Sequence, residues 1–355
     1  MASKIKNSAL IIFFLIVLSV FYQTVNSKSL SAERLYALKL LTPPDETDWN
    51  NAIPLVVTAK NGNLHKLHEK VDIDKDTVHT SSKSCHHAAP EAPPVKINLK
   101  AFYTEDELFL RVSWIDFTRD DKMFEYAYSE DKWNVSNNLE DAIGIMWDMT
   151  EGDKPFNCTI ACHTTDWKLK DYSLISKFKM NTLNDDEVDL WNWKAFRTNT
   201  FSFADDKYID SRGIIPDTPS RIYFYNSTLK NNAPLEVLAR DIKPLKDGDS
   251  PQYDYNGLLV KEGYWMTSGT APGVRVTIPT GNRGDVRATG TYNGSGWSVT
   301  FRRRLVNEDP KDVTFVVKRT SIYKFGVAVM DNTLTNHYAV EEPLELAFIE
   351  ENGGA

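Results

Sequence analysis

The stretch EDAIGIMWDM, residues 140–149, alternates like a β-strand but has two very different faces. Successive side chains of a strand point to opposite sides, so this segment divides into two sets of residues. The bulky set is Ile143, Ile145 and Trp147, and the other set is Ala142, Gly144 and Met146. The bulky face suits the interior of a sandwich, whereas the other face leaves open space around one long side chain.

The stretch YKFGVAV, residues 323–329, repeats this asymmetry. Its bulky face is Phe325, Val327 and Val329, and its other face is Lys324, Gly326 and Ala328. A glycine within a strand often marks the close approach of a ligand to the backbone. A flat macrocycle would need that space, and Met146 and Lys324 can each offer a lone pair to iron. The alternative is that Met146 is ordinary core filler and Lys324 is a solvated edge residue.

The remaining pattern predicts an all-β fold, an antiparallel β-sandwich. Residues 95–114 form one expected hairpin, and residues 286–305 form another that turns at Asn293-Gly294. The segments DVTFVV and LELAFI, residues 312–317 and 344–349, are expected to be further strands. We assign 95–349 to the sandwich, with a long irregular insertion at about 150–283, and 28–94 to an N-terminal segment with an irregular loop.

The N-terminus has the order of a secretory signal peptide. Lys4 and Lys6 precede an apolar block and then small residues near Ser27, and the block is short for a bilayer span. We therefore expect residues 1–27 to be removed, leaving an exported, periplasmic-type protein that does not span a membrane. The net charge of −8 argues against nucleic acid as a partner.

The segment FNCTIACHTT, residues 156–165, places Cys158, Cys162 and His163 in a C-x-x-x-C-H pattern. This is one residue longer than the motif that attaches a c-type haem. A disulfide would pair two of the three cysteines and leave Cys85 alone, beside His86 and His87 in a proline-rich loop. A zinc site is the weakest interpretation, because no second Cys or His pair stands at zinc-ligand spacing.

Other functional classes find less in the sequence. The acidic pairs Asp185-Asp186 and Asp205-Asp206 could serve acid–base chemistry or bind calcium, but a solvated loop is the expected setting. The nine Trp residues allow a carbohydrate-binding β-sandwich without haem as the alternative function. A red protein with a Soret band would decide for haem.

Six segments together carry a resemblance to a known family. They are the 95–114 hairpin, EDAIGIMWDM, CTIACH, DLWNWKAFR, the 284–305 hairpin and YKFGVAVMDN. In this order they resemble the ethylbenzene-dehydrogenase-type haem-binding domain, the γ subunit of periplasmic molybdenum enzymes of the dimethyl sulfoxide reductase superfamily. The resemblance covers residues 95–349.

The resemblance implies a non-catalytic electron-transfer subunit holding one haem b. Its iron ligands would be Met146 and Lys324, with Met149 and His337 as close alternatives. The implied partners are an iron–sulfur subunit, a molybdenum catalytic subunit and a soluble cytochrome, in a complex of nitrite oxidoreductase or nitrate reductase type.

Longer relatives carry an inserted Cys-x-x-x-Cys-His segment, which implies a second cofactor, a haem c. Cys158 and Cys162 would form its thioether bonds, and His163 would be the proximal iron ligand. His337 is a candidate distal ligand, or it caps a turn beside Asn336.

Overall fold

Eighteen strands and one α-helix make up most of the described chain. The computed structural model describes residues 29–34, 44–60, 93–149, 182, 186–217, 222–225, 251, 254–255, 269–318, 320–332, 337–340 and 342–349. The helix is α1 (Glu46–Asn51). The strands are β1 (Ser29–Arg34), β2 (Leu55–Lys60), β3 (Val95–Tyr103), β4 (Glu107–Ile115), β5 (Tyr126–Ser129), β6 (Lys132–Val135), β7 (Ala142–Asp148), β8 (Val188–Lys194), β9 (Asp205–Asp210), β10 (Gly213–Pro216), β11 (Tyr223–Tyr225), β12 (Gly269–Ala271), β13 (Val274–Val276), β14 (Arg287–Tyr292), β15 (Gly296–Arg304), β16 (Ile322–Met330), β17 (Tyr338–Val340) and β18 (Leu344–Ile349).

Within the described residues, one sheet contains thirteen strands. Eleven of them follow the order β10-β9-β8-β7-β16-β17-β2-β3-β4-β15-β14. β18 pairs with β16, and β1 lies between β18 and β3 with parallel pairing to both. Two small sheets, β11-β13 and β12-β5-β6, complete the strands.

The large sheet folds over itself, so that its two halves pack face to face. Trp193 of β8 contacts Trp297 of β15 with ring centroids 5.1 Å apart, and Trp114 of β4 at 6.4 Å. Gly290 of β14 faces the same ring so closely that an added Cβ would lie 2.1 Å from Trp193 Cζ2. The prediction of an all-β antiparallel sandwich is therefore confirmed.

Both predicted hairpins are present. β3 and β4 pair from Ile97–Trp114 to Tyr103–Leu108, and β14 and β15 pair from Arg287–Arg302 to Tyr292–Trp297. Gly294 adopts a φ of 93° at the second turn, a backbone conformation that favours glycine. The predicted strand LELAFI is β18.

The prediction of a strand at 312–317 is wrong, because the backbone hydrogen bonds of this segment are not made to the backbone of a neighbouring strand. The Val313 N–H donates to the carboxylate of Asp189, and Arg303 donates to the Val313 carbonyl. The Phe315 N–H donates to the Leu305 carbonyl. These buried apolar residues are held by side chains and a loop contact, which alternation in sequence does not reveal.

The main sheet also draws strands from both regions that the sequence set apart. β8, β9 and β10 come from the expected insertion at 150–283, and β1 and β2 from the expected N-terminal segment. β8 is buried at six of its seven positions, so it lacks the polar–apolar alternation of a half-exposed strand.

Candidate functional site

The two asymmetric strands of the sequence, β7 and β16, lie side by side in the sheet. Their antiparallel register pairs Met146 with Gly326 and Gly144 with Ala328. Paired residues point to the same side, so these four share one face, which we call the glycine face. The opposite sides of both strands point into the sandwich.

Lys324 also belongs to the glycine face, because it lies two residues before Gly326 on β16. It is partly exposed, and its backbone partner on the other side is Glu345 of β18. Lys324 is therefore the diagonal neighbour of Met146, at about 7–8 Å between Cα positions. The first part of the prediction, that both residues project from one face, follows directly from this register.

Met146 sits in a small apolar cluster on the glycine face. Its side chain is 4% exposed. The other members are Val188 and Leu190 of β8, Ile209 of β9, Ala328 of β16 and Ala339 of β17. The backbone beside Met146 leaves space, since an added Cβ on Gly144 would meet only Leu190 Cδ1, at 3.5 Å. A buried thioether, a nearby amine and two glycines fit the edge of a flat iron macrocycle.

The opposite, aromatic face of the same strands is tightly packed. Trp147 contacts Trp191, Phe315 and Phe325 with ring centroids 5.1, 4.9 and 5.0 Å away. All four side chains are at most 1% exposed. These aromatic contacts hold β7 in place and so fix the direction in which Met146 projects from the opposite face of the strand.

The alternative ligands Met149 and His337 are not beside Met146 and Lys324. Met149 is partly buried and packs on the main core, on the aromatic side. His337 is buried and directly precedes β17, whose Tyr338 pairs with Val329. That position is at the Met330 end of β16, about 20 Å along the strand from Lys324. The geometry thus favours Met146 with Lys324 over a pair that uses Met149 or His337.

The cysteine motif falls outside the described residues. Cys158, Cys162 and His163 lie in 150–181, and Cys85, His86 and His87 lie in 61–92. The assignment of a haem c to Cys158, Cys162 and His163 stays a prediction, as does the role of His337 as its distal ligand.

A buried cluster of charged side chains lies beside the apolar cluster on the glycine face. Asp205 of β9 is 0% exposed and accepts from Lys194 Nζ at 2.8 Å, Arg283 Nε at 2.7 Å and the Tyr223 hydroxyl at 2.7 Å. Lys207 Nζ is 3.0 Å from the same carboxylate. Burial alone would raise the pKa of Asp205, but the surrounding cations hold it well below the usual value.

The expectation of a solvated loop at Asp205-Asp206 is therefore wrong. Both residues are 0% exposed, on a strand, and they project to opposite sides of the sheet. Asp206 points to the aromatic side, where Asp189 and Asp312 are also buried. Two adjacent aspartates are expected to be exposed to solvent unless buried cations or other ligands compensate their charge. The sequence alone does not show which strands bring such partners to Asp205 and Asp206.

The comparisons with known proteins bear on this fold and site. Residues 46–340 match the protein family described as ethylbenzene dehydrogenase. No curated protein matches the sequence. None of the helices in the described part of the chain has the length and hydrophobicity that a bilayer crossing requires.

Two solved structures illustrate the structural similarity. A carbohydrate-binding module of family 9 from Caldicellulosiruptor kristjanssonii, in complex with glucose, is 8% identical, with a TM-score of 0.34 over 92% of this chain and 99% of that chain. A putative carbohydrate-binding protein from Bacteroides uniformis is 10% identical, with a TM-score of 0.29 over 91% of this chain and 99% of that chain.

Proposed function

Because the chain belongs to the ethylbenzene dehydrogenase family, we propose that it is a haem-binding electron-transfer subunit of a molybdenum enzyme. Haem binding is general in this family, and its members associate with molybdoenzyme subunits. The observation that carries the proposal is the β7–β16 register, which sets Met146 and Lys324 diagonally on one face with Gly326 beside them.

Met146 and Lys324 would hold the iron of a haem b. A haem held there would supply one-electron redox chemistry. Met146 offers a soft thioether from an apolar cluster, and Lys324 offers its lone pair only as the neutral amine. Gly144 leaves room at the backbone, and Leu190 and its apolar neighbours exclude water from the thioether side.

The proposed partners follow from this role. Electrons would pass between an iron–sulfur subunit, itself attached to a molybdenum catalytic subunit, and a soluble cytochrome. We place the complex in an exported, periplasmic compartment and among enzymes of nitrite oxidoreductase or nitrate reductase type. A haem c on Cys158 and Cys162, with His163 as proximal ligand, would give the subunit two haems in series.

The haem b site is tested by measuring the absorption spectrum and the reduction potential of the purified full chain and of four variants. Lys324→Ala should leave a five-coordinate or water-ligated iron and shift the Soret band, and Met146→Ala should lower the reduction potential. Met149→Ala and Lys96→Ala are the matched controls, because Met149 packs on the aromatic side and Lys96 is exposed on β3. Unchanged spectra in both ligand variants, or a colourless full chain, would contradict the assignment.

The haem c proposal has its own measurement. A denaturing gel stained for haem should show colour on the polypeptide, and acid–acetone extraction should leave one haem mass attached. A colourless chain two hydrogens lighter than its reduced mass would mean that Cys158 and Cys162 form a disulfide.

A further inference from the structure

Three buried aspartates meet between the two halves of the sheet, away from the glycine face. Asp189 lies on β8, Asp206 on β9 and Asp312 in the segment after β15. One carboxylate oxygen from each lies within 4.8 Å of the other two. Their exposed fractions are 0%, 0% and 3%. We call these residues the aspartate triad.

Each member of the triad keeps one oxygen occupied and one without a hydrogen-bond donor. Asp189 Oδ2 accepts from Trp191 Nε1 at 3.2 Å and from the Val313 N–H at 3.0 Å, and Asp206 Oδ1 accepts from the Lys207 N–H at 3.0 Å. Asp312 Oδ2 forms an ion pair with Arg303 at 2.8 Å. The second oxygens, Asp189 Oδ1, Asp206 Oδ2 and Asp312 Oδ1, are buried and have no hydrogen-bond partner among the residues that the structure describes.

The charge around the triad is also unbalanced. Asp285 and Asp217 add two more carboxylates, and Asp285 Oδ1 and both Asp217 oxygens have no hydrogen-bond partner within the described part of the chain. Arg303 supplies one positive charge, shared between Asp312 and a longer contact to Asp285 at 3.9 Å. Buried carboxylates are normally paired or bound to a metal, because an uncompensated buried charge is costly.

An ion of suitable chemistry would resolve both features. Ca²⁺ is bound by six to eight oxygens at 2.3–2.6 Å, so oxygens on opposite sides of it are roughly 4.6–5.2 Å apart. The triad oxygens fall within this span, and Asp217 and Asp285 can extend the ligand set. The described groups here are oxygen donors rather than thiols or imidazoles, which disfavours zinc.

We propose that the aspartate triad binds one Ca²⁺ ion, which links β8 and β9 of one half of the sheet to the segment after β15 of the other. The site is separate from the proposed haem face, because Asp189 and Asp206 project to the opposite side of the sheet from Leu190 and Asp205. The ion would therefore act as a structural clamp between the halves.

The first experiment uses the purified full chain without mutation. Elemental analysis after desalting should find about one calcium per chain. Chelation should lower Tm, and saturating Ca²⁺ should restore it by roughly 5 °C, with Mg²⁺ less effective. No bound metal and an unchanged Tm across a Ca²⁺ titration would overturn the proposal. Protons on the carboxyl groups, rather than an ion, would then offset the repulsion within the triad.

The second experiment locates the ion. Tb³⁺ in place of Ca²⁺ should emit on excitation of tryptophan, because Trp191 donates to Asp189. Asp206→Asn should reduce Ca²⁺ affinity about tenfold or more and abolish the emission. Asp210→Asn, on the same strand but paired with the exposed Arg212, should leave both unchanged. Equal Tb³⁺ emission in the two variants would place the ion elsewhere, and if Asp206→Asn fails to fold, the unmodified chain still decides whether Ca²⁺ binds.

Discussion

The outer faces of the two halves of the large sheet differ in how far their residues are buried. On β15 and at Arg111 and Ser113 of β4, the outward residues are polar and contact one another, as in Ser113–Ser298 at 3.1 Å and Arg111–Thr300 at 3.0 Å. On β7 and β8, most of the outward residues are buried as well as the inward ones. An antiparallel sheet commonly has one solvated face, whereas this half is covered by other residues of the chain on both faces.

Of the substitutions that test the difference between the two outer faces, the loss of Asp205 should lower the free energy of unfolding most. Asp205→Ala leaves Lys194 and Arg283 buried without their carboxylate, and we expect it to lower the free energy of unfolding by about 3–5 kcal/mol. The matched change on the other outer face is Glu46→Ala, which removes an ion pair between Arg111 and a 78%-exposed glutamate.

Glu46→Ala should cost only about 0–1 kcal/mol. Urea unfolding of both variants measures the difference. Equal losses would show that the two outer faces are equally solvated, and the comparison would then fail.

Two glycines provide a second contrast, with a smaller expected effect. Gly290→Ala should cost about 1–3 kcal/mol, because its Cβ would overlap the Trp193 ring, which is held between neighbouring tryptophans. Gly144→Ala should change stability by less than about 1 kcal/mol, because the nearest atom to its Cβ is 3.5 Å away. Thermal unfolding of the metal- and haem-free chain is the measurement, and a larger loss for Gly144→Ala would mean that the glycine face is closely packed.

The pH dependence of stability tests the junction between the halves. Asp141 directly precedes β7 and accepts from Trp297 Nε1 of β15 at 2.8 Å and from two backbone N–H groups. Burial raises its pKa from 3.8 to about 7, despite these donors. The folded chain therefore retains a proton that the unfolded chain has lost, so this contribution to stability falls as pH rises from about 4 to about 7.

Asp141→Asn should remove that dependence. The difference in unfolding free energy between the unmodified chain and the variant should shrink by about 2 kcal/mol between pH 4 and pH 8. Denaturant unfolding across this range checks it, and a difference that stays constant with pH would show that Asp141 is ionised throughout.

The sequence was sufficient for the strands that alternate and for the face that bears Met146 and Lys324. Strand parity depends only on local geometry, so both strands could be assigned their faces before their register was known. The register itself, which makes Lys324 the diagonal neighbour of Met146, needed the tertiary structure.

The sequence was insufficient where burial depends on distant partners. β8 shows no alternation because both of its faces are covered, and Asp205 and Asp206 resemble a solvated pair until Arg283 and the aspartate triad are brought near. The failed strand at 312–317 has the same cause, since Asp189 replaces a ladder partner for Val313.

The pairing of β1 with β18 has a consequence for the timing of folding. Ser29 pairs with Glu345, so among the described strands the first to be synthesised pairs with the last. Closing so long a loop is slow, and this pairing cannot form before β18 has been synthesised. The other strands that the structure describes can therefore form before β1 and β18 meet.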